Sequence, residues 1–444
     1  MKGESLLRRL PGACAAVCMV LASGRLAADE TLLSPTGIAV SAADWPWWRG
    51  PTLDGKAAGP APPTRWSQTE NVVWAVEVPG RGHASPCIWG RRIFISTAVG
   101  EEGELKQERT MPIFHPSPDR GVQSLLCYDR TSGKLLWKTD VHHGDFPRRH
   151  DRNSHATSTP ACDGQRVIVV YPHNDAVWVT ALDLEGKILW QKEAGRLEGR
   201  YGYGASPLCY RSLVIVSADH LGQSYIKAFD RATGRLVWEK PRKTGYSFSS
   251  PVVARMAGRD QLLLSGNNLV TSYEPSGGEV LWTCPGPANT TASTMAWLDD
   301  LALATGGDPQ TGITCIRGDG RGDVGQSHVA WQNSIKDYVP SPLVVEDRLL
   351  VVKDTGVAMC FAARTGQKLW EERLRGGGFS ASPVLAGGLV WVPNEAGRMF
   401  VFKAGRQFEP VAENDLADGG FASPAICGGQ LFLRTLHHLY CIGR

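Results

Sequence analysis

Eight Ser/Thr-Pro steps, or close equivalents, punctuate the chain, and each opens a short apolar run: Ser85-Pro86, Thr159-Pro160, Ser206-Pro207, Ser250-Pro251, Thr294-Met295, Ser341-Pro342, Ser382-Pro383 and Ser423-Pro424. From the second onward they recur at intervals of 47, 44, 44, 47, 41 and 41 residues, the period of a four-stranded propeller blade. A unit of that size cannot bury its apolar face alone, so the copies must stack against one another. This outweighs the two or three compact domains that 444 residues would otherwise suggest.

Residues 341–370 show the unit with least decoration. Leu343 to Val345 reads as an inner strand, Leu349 to Val352 as a second, Val357 to Phe361 as a third and Lys368 to Trp370 as the outer one. The turn before the outer strand is the most regular element: Asp129 to Gly133 then Trp137, Asp230 to Gly234 then Trp238, Arg364 to Gly366 then Trp370. Glycine supplies the positive φ that closes the hairpin, and the Asp carboxylate accepts from turn N–H groups. The Trp offers a flat surface for packing between blades. Blade five lacks this turn and carries a Gly/Asp-rich stretch, Gly318 to Val324; blade seven is expected to have Phe408 where the Trp should be. The last blade stops one outer strand short, while Asn71 to Val76 is an outer strand with no blade before it. The expected fold is therefore all-β: an eight-bladed propeller of four-stranded antiparallel blades, closed by pairing an N-terminal strand with the C-terminal blade.

Residues 1–28 carry Lys2, Arg8 and Arg9, an apolar stretch from Ala13 to Ala22 and small residues up to Ala28, the pattern of an export signal. Residues 29–43 read as a linker, 44–70 as an N-terminal strap and 71–444 as the propeller. Export implies a periplasmic or cell-envelope location, with no transmembrane segment. The formal charge of +3, without blocks of like charge, excludes a nucleic-acid arm. The nine cysteines beyond the signal are odd in number and mostly recur at two blade positions, so they read as small buried apolar residues. No Cys/His ligand spacing is present, and no metal is expected.

The blade motif, with its Thr-Gly turn and following Trp, resembles the PQQ-like β-propeller repeat family. The likeness extends to the Asp-Trp-Pro-Trp-Trp-Arg-Gly-Pro run of residues 44–51, to Glu70 through Trp74, to Asn153 through Pro160, and to the ending from Ala422 to Gly443. The resemblance implies two functions. One is that of the BamB lipoprotein, a non-enzymatic scaffold whose loops engage partner proteins. The other is that of quinoprotein alcohol dehydrogenases, which hold PQQ and calcium on the axis, typically under a ring formed by adjacent cysteines. This chain has no adjacent cysteines, so no cofactor is expected, with PQQ and calcium as the alternative.

In an antiparallel blade the connectors between blades emerge on the same face as the loops between second and third strands, opposite the Gly turns. That irregular face collects the unusual polar residues. Arg148, Arg149, His150, Asn153, His155, Lys353, Asp354, Asn394 and Glu395 are the candidate ligand- or partner-binding residues. On the same connector, Arg148, Arg149 and Arg152 could form an anion clamp, and His142, His143, His150 and His155 could be metal ligands, with solvated loops as the alternative in both cases. The stretches at Gly306 to Asp308 and Gly318 to Asp323 contain calcium-loop residues without calcium-loop spacing. Asp151, Asp175 and Asp219 are isolated acids that could serve as a general base, with no nucleophile beside them. Trp45, Trp47 and Trp48 offer a third possibility, carbohydrate stacking, unless they strap the segment down. The expectation is a monomeric, non-enzymatic binding or scaffold propeller recognising an envelope protein or small ligand, with a quinone-dependent oxidoreductase as the alternative.

Overall fold

The computed structural model describes residues 1, 31–101 and 120–443; residues 2–28 of the expected export signal lie outside the described residues. Eight antiparallel meanders form the ring. Blade one consists of Cys87–Trp89, Arg92–Gly100, Arg120–Asp129 and Leu135–Asp145, and blade six of Leu343–Val345, Arg348–Val352, Val357–Ala362 and Lys368–Arg373. Blade eight is composite: Ala425–Cys427, Gln430–Arg434 and His438–Ile442 are completed by Val72–Glu77, with Val72 opposite Ile442 and Glu77 opposite His438. The edge that the last strand would expose is thus covered by the first propeller strand.

The Ser/Thr steps link neighbouring blades by hydrogen bonding. The backbone N–H of six of the eight donates to the hydroxyl of its counterpart in the next blade: Ser85 to Thr159, Thr159 to Ser206, Ser206 to Ser250, Thr294 to Ser341, Ser341 to Ser382 and Ser382 to Ser423, at 2.8–3.0 Å. Proline follows the step because its fixed φ starts an inner strand whose first position has no ladder partner to donate to. The step is therefore both a strand start and a link in a girdle of hydrogen bonds around the axis.

At the periphery, each outer-strand Trp docks onto the Gly turn of the following blade. The indole N–H of Trp137 reaches the Leu184 carbonyl at 3.0 Å, that of Trp190 the Arg231 carbonyl at 3.1 Å and that of Trp331 the Ala363 carbonyl at 2.8 Å. Gly234 has φ +71°, and a Cβ there would stand 2.7 Å from the Trp190 ring. Glycine is required both by its dihedral and by the close approach of the indole. Trp282 departs from the rule because blade five has no such turn; its N–H goes to Gln261 of its own blade, at 2.7 Å. The Gly/Asp-rich stretch of blade five instead sends Gly322–Asp323 to pair in parallel with Trp282 and Thr283, adding a fifth strand to blade four.

Two expectations are corrected. In blade six the Trp stands opposite Cys360 just before a bulge, whereas the equivalent position in blade seven, opposite Val401, is Ala412 and not Phe408. No turn exists in blade eight for a Trp there to dock on, because that blade is joined through the termini. Trp66 of the strap packs on blade seven instead, stacked on Trp391 at 5.9 Å and held by Asn414. Second, the segment assigned to a linker is partly folded: Thr31–Leu33 and Ala39–Ser41 form a hairpin, with Val40 buried against the propeller core.

The strap crosses the ring on the Gly-turn face. Asp44 accepts from Gly90 N–H, Trp45 pairs with Ile88 of blade one, and the Pro46 carbonyl accepts from Cys162 of blade two. Arg49 then reaches the carbonyls of Pro342 and Pro383 in blades six and seven, at 2.9 and 2.8 Å. Trp45 and Trp47 are fully buried, so they are core residues rather than a carbohydrate platform. Burial pushes the Arg49 guanidinium down to about 10. All nine described cysteines are buried, unpaired thiols.

Candidate functional site

The residue two positions before each Ser/Thr step faces the axis on the irregular face. His83, Thr157, Gly204 and Phe248 do so in blades one to four, and Ala292, Val339, Ser380 and Phe421 in blades five to eight. Together they line an axial funnel of about 480 Å³, within the size range of small-ligand sites. Its floor is Trp48, carried up the axis by the strap, with its indole N–H on the Thr294 hydroxyl at 2.8 Å. The funnel consequently opens on one face only.

The lining is uneven. His83 and Phe421 stack at 4.4 Å on blades one and eight, and Phe248 stands on blade four, across the ring from blade eight. Small residues on blades two, three, five and seven leave a slot between these aromatic walls. Tyr201 and Tyr338 add phenol rings at the mouth, and Lys336 lies 5.7 Å above the Tyr338 ring. Arg152, from the connector between blades one and two, reaches across to Glu395 and Ser380 of blade seven.

Charge is unequally distributed too. Burial holds His83 well below the ordinary imidazole range, and Arg81, Arg149, Arg434 and Arg152 push it further in the same direction. On blades five and six the sign reverses: the Tyr338 phenol is pushed up to about 12 by burial and then by Asp308 and Asp354, with Arg152 opposing. Behind Asp354, whose Oδ1 has no hydrogen-bond partner, Asp337 is fully buried. Burial, with the neighbouring Asp354 helping and a Thr305 hydrogen bond opposing, raises its proton affinity well above that of an ordinary carboxylic acid.

The nine candidate residues separate into groups. His150, Asn153 and Asp354 line the funnel, and Glu395 meets it through Arg152. Arg149 is buried and bonded to His155 Nε2 at 3.1 Å and to loop carbonyls, so it builds the connector instead of clamping an anion. His155 is buried against Phe146. Asn394 is spent on its own turn, accepting from Ala396 and Arg398. Arg148 stands on a separate groove of about 580 Å³ above blade two, beside Asp145 and Asp175. Lys353 is half-buried outside the funnel lining.

The arginines therefore do not converge, and neither do the histidines: His142 stacks on His173 at 4.6 Å, away from His150. Asp219 is neutralised by Arg242 at 2.7 and 2.9 Å, and Asp151 lies 2.7 Å from His150 Nδ1. The aromatic lining does not stand out in the sequence, where the unusual residues of the irregular loops are polar. Its signal was the position two before each step, which the repeat makes countable.

This is an eight-bladed propeller of the PQQ-like repeat class. The chain matches the family model described as "Outer membrane protein assembly factor BamB" over residues 121–308 and 320–408. That is more than half of its length, and it belongs to this family. Among solved structures it resembles BamB from Moraxella catarrhalis, with TM-score 0.59 and 14% identity over 84% of this chain and 99% of that one. It also resembles the quinohemoprotein alcohol dehydrogenase from Comamonas testosteroni, with TM-score 0.61 and 12% identity over 90% and 81%. A computationally designed protein, Ika8, follows with TM-score 0.52 and 13% identity over 74% and 95%. At these identities the likenesses speak to fold alone. A search among curated proteins finds no match.

The alternative expected from the sequence is a PQQ–calcium pair. Among the described residues no three His, Cys, Asp or Glu side chains are grouped to hold a metal ion. The described cysteines are separate thiols.

Proposed function

We propose that this chain is an exported, non-enzymatic binding or scaffold propeller of the cell envelope that recognises a protein or small ligand through its irregular-loop face. The observation that carries this reading is the axial funnel, to which every blade contributes a side chain and which the strap closes from behind. Membership of the BamB family supports it. Among the described residues no helix is long and apolar enough to cross a membrane.

The test compares two sets of substitutions in the mature protein. Replacing Arg152, Tyr201 and Lys336 by Ala at the funnel mouth should abolish capture of partners from native envelope extract, with the melting temperature little changed, because Arg152 is exposed and Tyr201 and Lys336 are only half-buried. Replacing Lys187 and Arg235 beside the Gly turns should leave capture intact. Equal loss from both sets would show that the wrong face was chosen. Stoichiometric PQQ binding with calcium, accompanied by dye-linked alcohol oxidation, would replace this reading with the oxidoreductase one.

A further inference from the structure

The funnel has a shape and a charge pattern that together select a ligand. Two aromatic walls, Phe248 on one side and the stacked His83–Phe421 pair on the other, flank a slot floored by the Trp48 indole. Small side chains at Thr157, Gly204, Ala292 and Ser380 keep the slot open at both ends. A flat or extended body is admitted; a globular one is not.

The charges stand at different places on the rim. Asp308 and Asp354 line the blade five and six side, and Asp354 Oδ1 lacks a donor. Arg152 crosses from the connector between blades one and two; its Glu395 and Ser380 contacts both use one terminal nitrogen. A guanidinium carries five N–H donors, so capacity remains for a second carboxylate. Arg81, Arg149, Arg434 and Arg152 act on His83, whereas Asp308 and Asp354 act on Tyr338 with Arg152 opposing them.

We propose that the slot takes a short zwitterionic peptide, its backbone lying over Trp48 between Phe248 and the His83–Phe421 pair, its ammonium toward Asp308 and Asp354 and its carboxylate toward Arg152. An ammonium supplies donors where acceptors are unmatched, and the aromatic walls favour a cation beside them. The carboxylate shares Arg152 with Glu395. A purely anionic ligand would face the aspartates, and a purely cationic one the arginines.

This assignment rests on the binding reading above and is tested separately from it. The mature chain is titrated calorimetrically with di- and tripeptides of Ala and Phe, each in free, N-acetylated and C-amidated form. Free peptides should bind one to one, and either cap should weaken binding about tenfold or more, the loss expected for one charge-assisted hydrogen-bonding group. Asp354→Asn should remove the penalty of acetylation alone, and Arg152→Gln that of amidation alone. Both variants sit at the rim, and an unchanged melting temperature shows that they are folded. Failure of every free peptide to bind at millimolar concentration, or indifference to either cap, overturns the proposal. If the funnel-mouth variants still lose envelope capture, only the peptide assignment falls.

Discussion

His142 shows how a single side chain sets an acid limit on this protein. It is buried, stacked on His173, edge-on to Trp178 at 5.6 Å and Tyr171 at 6.2 Å, and beside the Gln191 amide at 3.5 Å. Burial, then the charges of His173 and His143, depress it to about 3. The unfolded chain therefore takes up the proton first, so the contribution to stability is intact above the ordinary pKa of 6.5 and is lost as the pH falls toward 3. At pH 5 the loss is about 2 kcal/mol. Depression of His173, for which burial is the leading cause, acts in the same direction. His142→Phe should flatten the fall in denaturation free energy between about pH 6.5 and 5; an unchanged slope would show that this imidazole is not the responsible group. The same residue illustrates what was hidden in the sequence. Read there, His142 and His143 are a loop pair that could hold a metal; in the structure both belong to an extended outer strand, Leu135–Asp145, that turns one inward and one outward.

At the scale of the element, the blade was legible because apolar runs, Gly turns and Trp residues recur with one period. Their physical roles were only partly so. Counting forward to Phe408 fails in blade seven because the bulge, not the count, sets which residue faces the next blade, and that residue is Ala412. The Ser/Thr hydroxyls were visible as a repeat but their use was not, since a bond to the next blade spans about 45 residues in sequence and leaves no local pattern. The girdle makes a direct prediction. Ser341→Ala would leave the buried Thr294 N–H without its acceptor at 2.9 Å, costing about 1–3 kcal/mol. Ser341→Thr, which keeps the hydroxyl, should recover most of it. Urea melts of the two variants decide the matter, and equal midpoints would remove the girdle from the account of stability.

For the molecule as a whole, the closure of the ring was readable from an orphan strand and a missing one, whereas the course of the strap was not: Trp45, Trp47 and Trp48 carry no period, and only the fold shows the first two buried and Trp48 lining the funnel. Truncation through Glu77 removes both strap and closing strand, and should lower the melting temperature by at least about 10 °C or abolish soluble expression, whereas truncation through Ser41 should be far milder. A protein lacking residues through Glu77 that melts within about two degrees of the parent would contradict the closure. The composite blade also has a consequence in time. Val72 and Ile442 are roughly 370 residues apart in the chain and directly opposite in the sheet. During synthesis the strand that emerges first must wait for the one that emerges last, and for that interval its Val-Val-Trp edge is exposed to any other passing strand. The ring behaves like a necklace whose clasp was cast first and is fastened last, so a factor that shields residues 72–77 until translation ends would govern the yield of native protein without touching its stability.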